Sequence, residues 1–195
     1  MDKLDQKYNF PRVKKLAVLF DPNEDRISLL VLLGERVYQE IIVTRRIYMI
    51  LIEHYSDLFK KSHSLSKVPS DLRNEVLKIE HMQAKKTDLG SPLSDQWLSN
   101  LGRDDFTPKF LVTEIKYQTS EDEIKIGLLG VNQENQRQTN LKVEPICAFV
   151  MNNLEAHKLL AALVDEGRGA DWHKIIPHSI FLENAEQVPL ETLVN

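Results

Sequence analysis

The sequence predicts an α+β protein: two antiparallel meander-plus-helix (βββα) units joined by a helical segment. Three observations carry this expectation. Apolar runs of strand length, bounded by turn residues, fall into two groups of three. After each group the apolar spacing switches to steps of three and four, which places those residues on one face of a helix. Between the groups lies a stretch with helical spacing and no strand signal. The order of elements thus occurs twice, at an offset of roughly 95–100 residues. Residue identity between the copies is low, so internal duplication is a hypothesis about architecture. The corresponding divisions are 1–62 for an N-terminal unit with a flexible arm (1–14), 63–108 for a helical connector, 109–167 for a C-terminal unit, and 168–195 for an irregular docked tail.

In the first unit, "KLAVLF" (15–20) reads as a buried strand and "DPNEDR" (21–26) as a turn, because Pro22 and Asn23 suit tight-turn positions. "ISLLVLL" (27–33) is a second strand ended by Gly34, and "RVYQEIIV" (36–43) is a third. Thr44 is a suitable N-cap. The helix after it carries Ile47, Ile50, Leu51, His54, Tyr55, Leu58 and Phe59 as its stripe. It contains "IYMILI", the most apolar short window of the chain. Arginines precede that window and Glu53 and His54 follow it, far short of the roughly 20 apolar residues a spanning helix needs. The expected role of the window is core.

In the connector, Pro69 and Ser70 are start signals for a helix with Leu72, Val76, Ile79 and Met82 on one narrow stripe. "SPLSDQWLSNLG" predicts a short helix with Trp97, Leu98 and Leu101 on its buried side. In the second unit, "FLVTEIKYQ" and "IKIGLLGV" are strands around a "TSEDE" turn, and "TNLKVE" (139–144) is the expected third strand. Pro145 is expected to open a helix striped by Ile146, Phe149, Val150, Asn153, Leu154, His157, Leu160, Ala161 and Val164, with Gly167 as its stop. In the tail, Trp172, Ile175, Ile176, Ile180 and Phe181 are expected to dock.

The composition is 42% apolar and 28% charged, with a net charge of −4. That suits a globular protein and offers no global basic field to nucleic acid or anionic lipid. A single cysteine, Cys147, forms no intramolecular disulfide, and the N-terminus carries no secretory signal pattern. The expected location is the cytoplasm, with no membrane partner.

Chemical motifs are few. There is no glycine-rich phosphate loop, no nucleophile elbow and no paired-histidine zinc motif. Cys147 lies among apolar residues, where a thiol acts as a small hydrophobe, although a position in a first helical turn would favour a thiolate. His54, His63, His81, His157, His173 and His178 match no standard zinc spacing. The "SEDE" turn (120–123) lacks calcium-loop spacing. No catalytic, metal or cofactor-binding residue is assigned, and no cofactor is expected.

The expected function is therefore a non-enzymatic interaction or assembly protein that binds a protein partner or itself through apolar strands and helices. "KLAVLF" and "ISLLVLL" are apolar on both faces, so the second face must be covered either within the chain or by another subunit. The alternative is a single-stranded nucleic-acid-binding protein with a β-sheet platform, using Tyr38 and Tyr117 for stacking and Arg36, Lys116 and Lys125 for the backbone. A second alternative is an enzyme whose site has no sequence motif.

Overall fold

Each meander forms from short turns between apolar strands. β1 (Val13–Asp21) and β2 (Arg26–Leu33) are joined by a turn in which the Asp21 carboxylate accepts from the Asn23 and Glu24 backbone N–H groups. A second turn, with Gly34 at φ 57°, leads to β3 (Val37–Val43). The positive φ there is where glycine has no steric penalty. β4 (Lys109–Thr119), β5 (Ile124–Asn132) and β6 (Glu144–Met151) repeat the pattern. The computed structural model describes residues 8–60, 65, 68–86, 95–99, 101–120, 123–135 and 142–172.

The two meanders join in one six-stranded sheet of order β1-β2-β3-β4-β5-β6. All neighbours are antiparallel except β3 and β4, which run parallel through Glu40–Lys109, Ile41–Phe110 and Ile42–Leu111. A parallel pair needs a long crossover, and here it contains α1 (Arg45–Lys60) and α2 (Arg73–Lys86). The chain just before β1 returns to β6, where Ala148 donates its backbone N–H to the Pro11 carbonyl at 2.8 Å, again in parallel sense. The sheet's two edges therefore meet at one point.

Helices cover one face. α1 lies against β4 and against α3 (Asn153–Gly169), which itself packs on β1, β6 and α2. Each unit's helix thus leans on the first strand of the other unit. Ile27, Leu29, Val31, Ile126 and Leu128 meet Tyr48, Leu51, Ile52, Leu160 and Val164 in a common core. The far face is also covered, and the cover is exchanged. Tyr8 and Phe10, which lead into β1, lie over Leu129 and Ala148 of the second meander. Trp97, Leu98, Leu101 and Phe106, which lead into β4, lie over Ala17, Leu30 and Tyr38 of the first. Both faces of β2 are covered within the chain.

The α+β architecture agrees with the sequence reading, and several local expectations are corrected. "EPICAFVM" is strand β6, not the first turns of a helix. Pro145 is tolerated because it sits near the strand start beside a bulge: Leu128 opposes Cys147 and Leu129 opposes Pro145, so Ile146 is the extra residue. The helix starts at Asn153 with a capping box, in which the Asn152 side chain accepts from Glu155 N–H and the Glu155 carboxylate accepts from Asn152 N–H, both at 2.9 Å. Lys142 and Val143 have no regular structure, and 139–141 lie outside the described residues. Gly167 is interior to α3, packed under Tyr48, and the helix ends at Gly169. On α1 the buried face includes Tyr48 and Ile52, while His54 is turned outward to stack on Tyr117 with ring centroids 4.9 Å apart. Part of the expected flexible arm is docked: residues from Tyr8 onward are placed, with Phe10 buried. Of the expected docked tail, Trp172 is buried, and Ile175, Ile176, Ile180 and Phe181 lie outside the described residues, as do His63, His173 and His178.

Candidate interaction surface

The connector helix α2 has two opposed apolar faces. Its start follows Pro69, with Leu72 N–H bonded to the Pro69 carbonyl and Val76 N–H to the Leu72 carbonyl. The inward face is Leu77, His81 and Ala84, at positions spaced three and four apart. It packs on α3, and Lys85 pairs with Asp165 at 2.8 Å. The inward contact is partly aromatic: the His157 ring lies flat on Phe59 with centroids 3.9 Å apart, and His81 is 5.7 Å from His157.

Burial sets the protonation of that contact. It lowers the His157 pKa to about 3, with His81 adding to the effect. It lowers His81 to about 4, with Lys85 adding. Glu80, whose carboxylate lies 3.5 Å from His157 Nε2, is raised by burial. At neutral pH both imidazoles are uncharged, so the Glu80–His157 contact is not an ion pair.

The opposite face carries Leu72, Ile79 and Met82, which are 50%, 48% and 39% exposed, with Val76 half-buried beside them. These are the four residues of the sequence-derived stripe. The sequence identifies the helix and its apolar seam; the structure turns that seam to solvent. A helix with apolar residues on both sides has one side for its own core and one for something else. The second signal, Leu77 and Ala84 a half-turn away, is present in the sequence but is masked by His81 between them.

A concavity lies on the far face of the first meander. A cleft of about 460 Å³ is bounded by Leu19, Phe20, Leu30, Leu98, Leu101 and Phe106, with Ser28 at its base. The Ser28 hydroxyl donates to Glu40 at 2.7 Å, and Lys109 Nζ pairs with the other Glu40 oxygen at 2.9 Å. Glu40 is buried, so this charge is held by partners rather than by water.

The residues singled out for nucleic acid are placed apart. Arg36 is exposed in the β2–β3 turn. The Tyr38 ring stacks on Trp97 with centroids 6.1 Å apart and meets Phe106 edge-on at 5.6 Å. Tyr117 lies beneath α1 against His54, and burial raises its hydroxyl pKa. Lys116 pairs with Glu114 at 3.0 Å, and Lys125 is buried on β5. Cys147, on β6 rather than in a helical turn, is fully buried, and burial pushes its thiol up. Among the described residues no group of three or more histidine, cysteine, aspartate or glutamate side chains converges to hold a metal ion, and no helix is long and apolar enough to cross a membrane. Compared with protein-family models, curated proteins and solved structures, the chain matches none.

Proposed function

We propose that this chain is a non-enzymatic interaction protein of the cytoplasm that docks another polypeptide on the outer face of α2. The observation that carries this reading is the outward stripe Leu72, Ile79 and Met82 on a helix already anchored by Leu77, His81 and Ala84. A helix presenting apolar anchors at such spacing is a recurring way to engage a protein groove or a second helix. The covered faces of β2 narrow the expected docking surface from apolar strands and helices to this helix.

The test is a photo-reactive amino acid at position 79, with a control at Glu134, an exposed residue beyond the end of β5. In cells, the first variant should give covalent protein adducts and the control should not. Absence of adducts at 79 would overturn the reading.

The single-strand alternative needs open ring faces at Tyr38 and Tyr117. Both rings are occupied by neighbours, which favours the protein reading. Salt-dependent binding of single strands by the wild-type chain, weakened by Tyr117→Ala and Lys125→Ala, would reverse the preference.

A further inference from the structure

We infer that the partner on α2 is a second copy of this chain, held by antiparallel pairing of the two α2 helices about a two-fold axis; this rests on the docking role just proposed for the outer stripe. A two-fold interface must be self-complementary. The outer seam of α2 has this property. Its positions are Leu72, Glu75, Ile79, Met82 and Lys86, which follow one another at alternating steps of three and four. That is the spacing of a two-helix seam. The acidic residue of the first turn is Glu75, the basic residues of the last turn are Lys85 and Lys86, and Asp71 stands just ahead of the helix. Lys85 is engaged with Asp165 of α3, which leaves Lys86 as the basic residue on the seam itself.

Antiparallel pairing sets Ile79 against the other copy's Met82, twice, and Glu75 against its Lys86, twice. Four apolar side chains then form the centre, with an opposite-charge pair at each end and Leu72 beyond it. Parallel pairing would set Glu75 against Glu75 and Lys86 against Lys86. Charges flanking a helix seam decide orientation in this way. The helix macrodipoles favour the same orientation, because antiparallel pairing lays the positive N-terminal end of each helix beside the negative C-terminal end of the other. The opposed inner face keeps each α2 on its own α3, so pairing requires no rearrangement.

The expected strength follows from size. α2 has 14 residues, about 21 Å of helix. Two such helices bury well below the roughly 1,600 Å² of a standard interface, so the dimer should form in the tens of micromolar and come apart on dilution.

The experiment is sedimentation velocity on the purified full chain from about 1 to about 200 μM. The mass should rise from 22.6 kDa toward twice that value. Ile79→Glu with Met82→Glu should abolish the rise without lowering the melting temperature. Glu75→Lys alone and Lys86→Glu alone should each weaken it at least several-fold, and the two together should restore it, a rescue that a merely structural role would not give. A chain that stays monomeric throughout, or charge reversals that do not rescue, would overturn the second-copy assignment. If that happens while the photo-reactive residue at 79 still captures a different protein, the docking role stands and only this assignment fails. If it captures nothing, both fail.

Discussion

The indole nitrogen of Trp172 donates to the Asp25 carboxylate at 2.8 Å, joining residues 147 positions apart. Asp25 sits at φ 50° in the β1–β2 turn and its other oxygen pairs with Arg45 at the start of α1. The Arg45 guanidinium also lies over the Trp172 ring, 5.6 Å from its centroid, and Phe20 and Tyr48 meet that ring edge-on. The chain after α3 is thereby fastened to the first turn of the sheet and the first turn of α1.

Substitutions here should separate packing from hydrogen bonding. Trp172→Ala should cost about 3–5 kcal/mol, the range for a fully buried large aromatic. Trp172→Phe should cost less, on the order of 1.5–3 kcal/mol for a bond to a charged acceptor together with a small packing loss. Asp25→Asn keeps an acceptor and a residue type tolerant of positive φ, so its loss should stay within the roughly 0–1 kcal/mol of an exposed ion pair. Urea unfolding followed by tryptophan fluorescence measures the third, which keeps Trp172; circular dichroism serves for all.

The two faces of α2 should respond oppositely. Leu77→Ala opens a cavity in a fully buried position and should destabilise by about 2–5 kcal/mol. Ile79→Glu, on the outer face, should change the stability of the monomer by no more than about 0.5 kcal/mol. Thermal melts at low concentration compare them directly. Equal losses would mean that the outer stripe is core.

Acid should loosen α2 from α3. His81 and His157 hold folded pKa values of about 4 and about 3, below the ordinary 6.5. Above that ordinary value both states are uncharged and the full stability is present. As pH falls through it, the unfolded chain takes up protons that the folded chain refuses, so stability declines, by up to roughly 1.4 kcal/mol per pH unit for each histidine, until the folded pKa is reached. Lys85 and Arg168 oppose protonation of His81, Asp165 favours it, and Glu80, raised by burial, works against the trend at the acid end. Urea midpoints between pH 7 and pH 5 should fall in the wild type and flatten in His81→Leu with His157→Leu.

Two glycines of β5 should differ in kind. A Cβ at Gly130 would lie 2.0 Å from the Leu111 carbonyl oxygen, a backbone atom held in the sheet. A Cβ at Gly127 would meet the Phe10 ring at 2.7 Å, a side chain on an arm that can lift. Gly130→Ala should therefore strain the β4–β5 pairing and cost more than about 2 kcal/mol, while Gly127→Ala should mainly release the arm. Faster proteolysis before β1, with the melting temperature little changed, identifies the second outcome; Phe10→Ala should remove most of the difference between Gly127→Ala and wild type.

Local chemistry was legible where a single segment decides it. The β1–β2 turn at Pro22 and Asn23, the stop at Gly34, the Thr44 cap and the core role of "IYMILI" all follow from neighbours within a few residues. In the structure, Thr44 Oγ1 accepts from Ile47 N–H, and Ile47, Tyr48, Leu51 and Ile52 are buried. The β6 boundary was also written locally, in the Asn152–Glu155 capping box, but "ICAFVM" suits a buried strand and a buried helix equally by period, and Pro145 favoured the wrong one.

The amino-acid sequence by itself determined the α+β class, most of the elements, their repeated order and the apolar seam of α2, because propensity, turn chemistry and periodicity act over one element's length. Only the tertiary structure decided which way that seam faces, that β3 and β4 pair in parallel, and that each unit's leading segment covers the other unit's sheet. Those outcomes depend on which surfaces compete for burial once the chain has closed on itself. Leu77 and Ala84 found α3, Phe10 found the space above Gly127, and Leu72, Ile79 and Met82 were left outside.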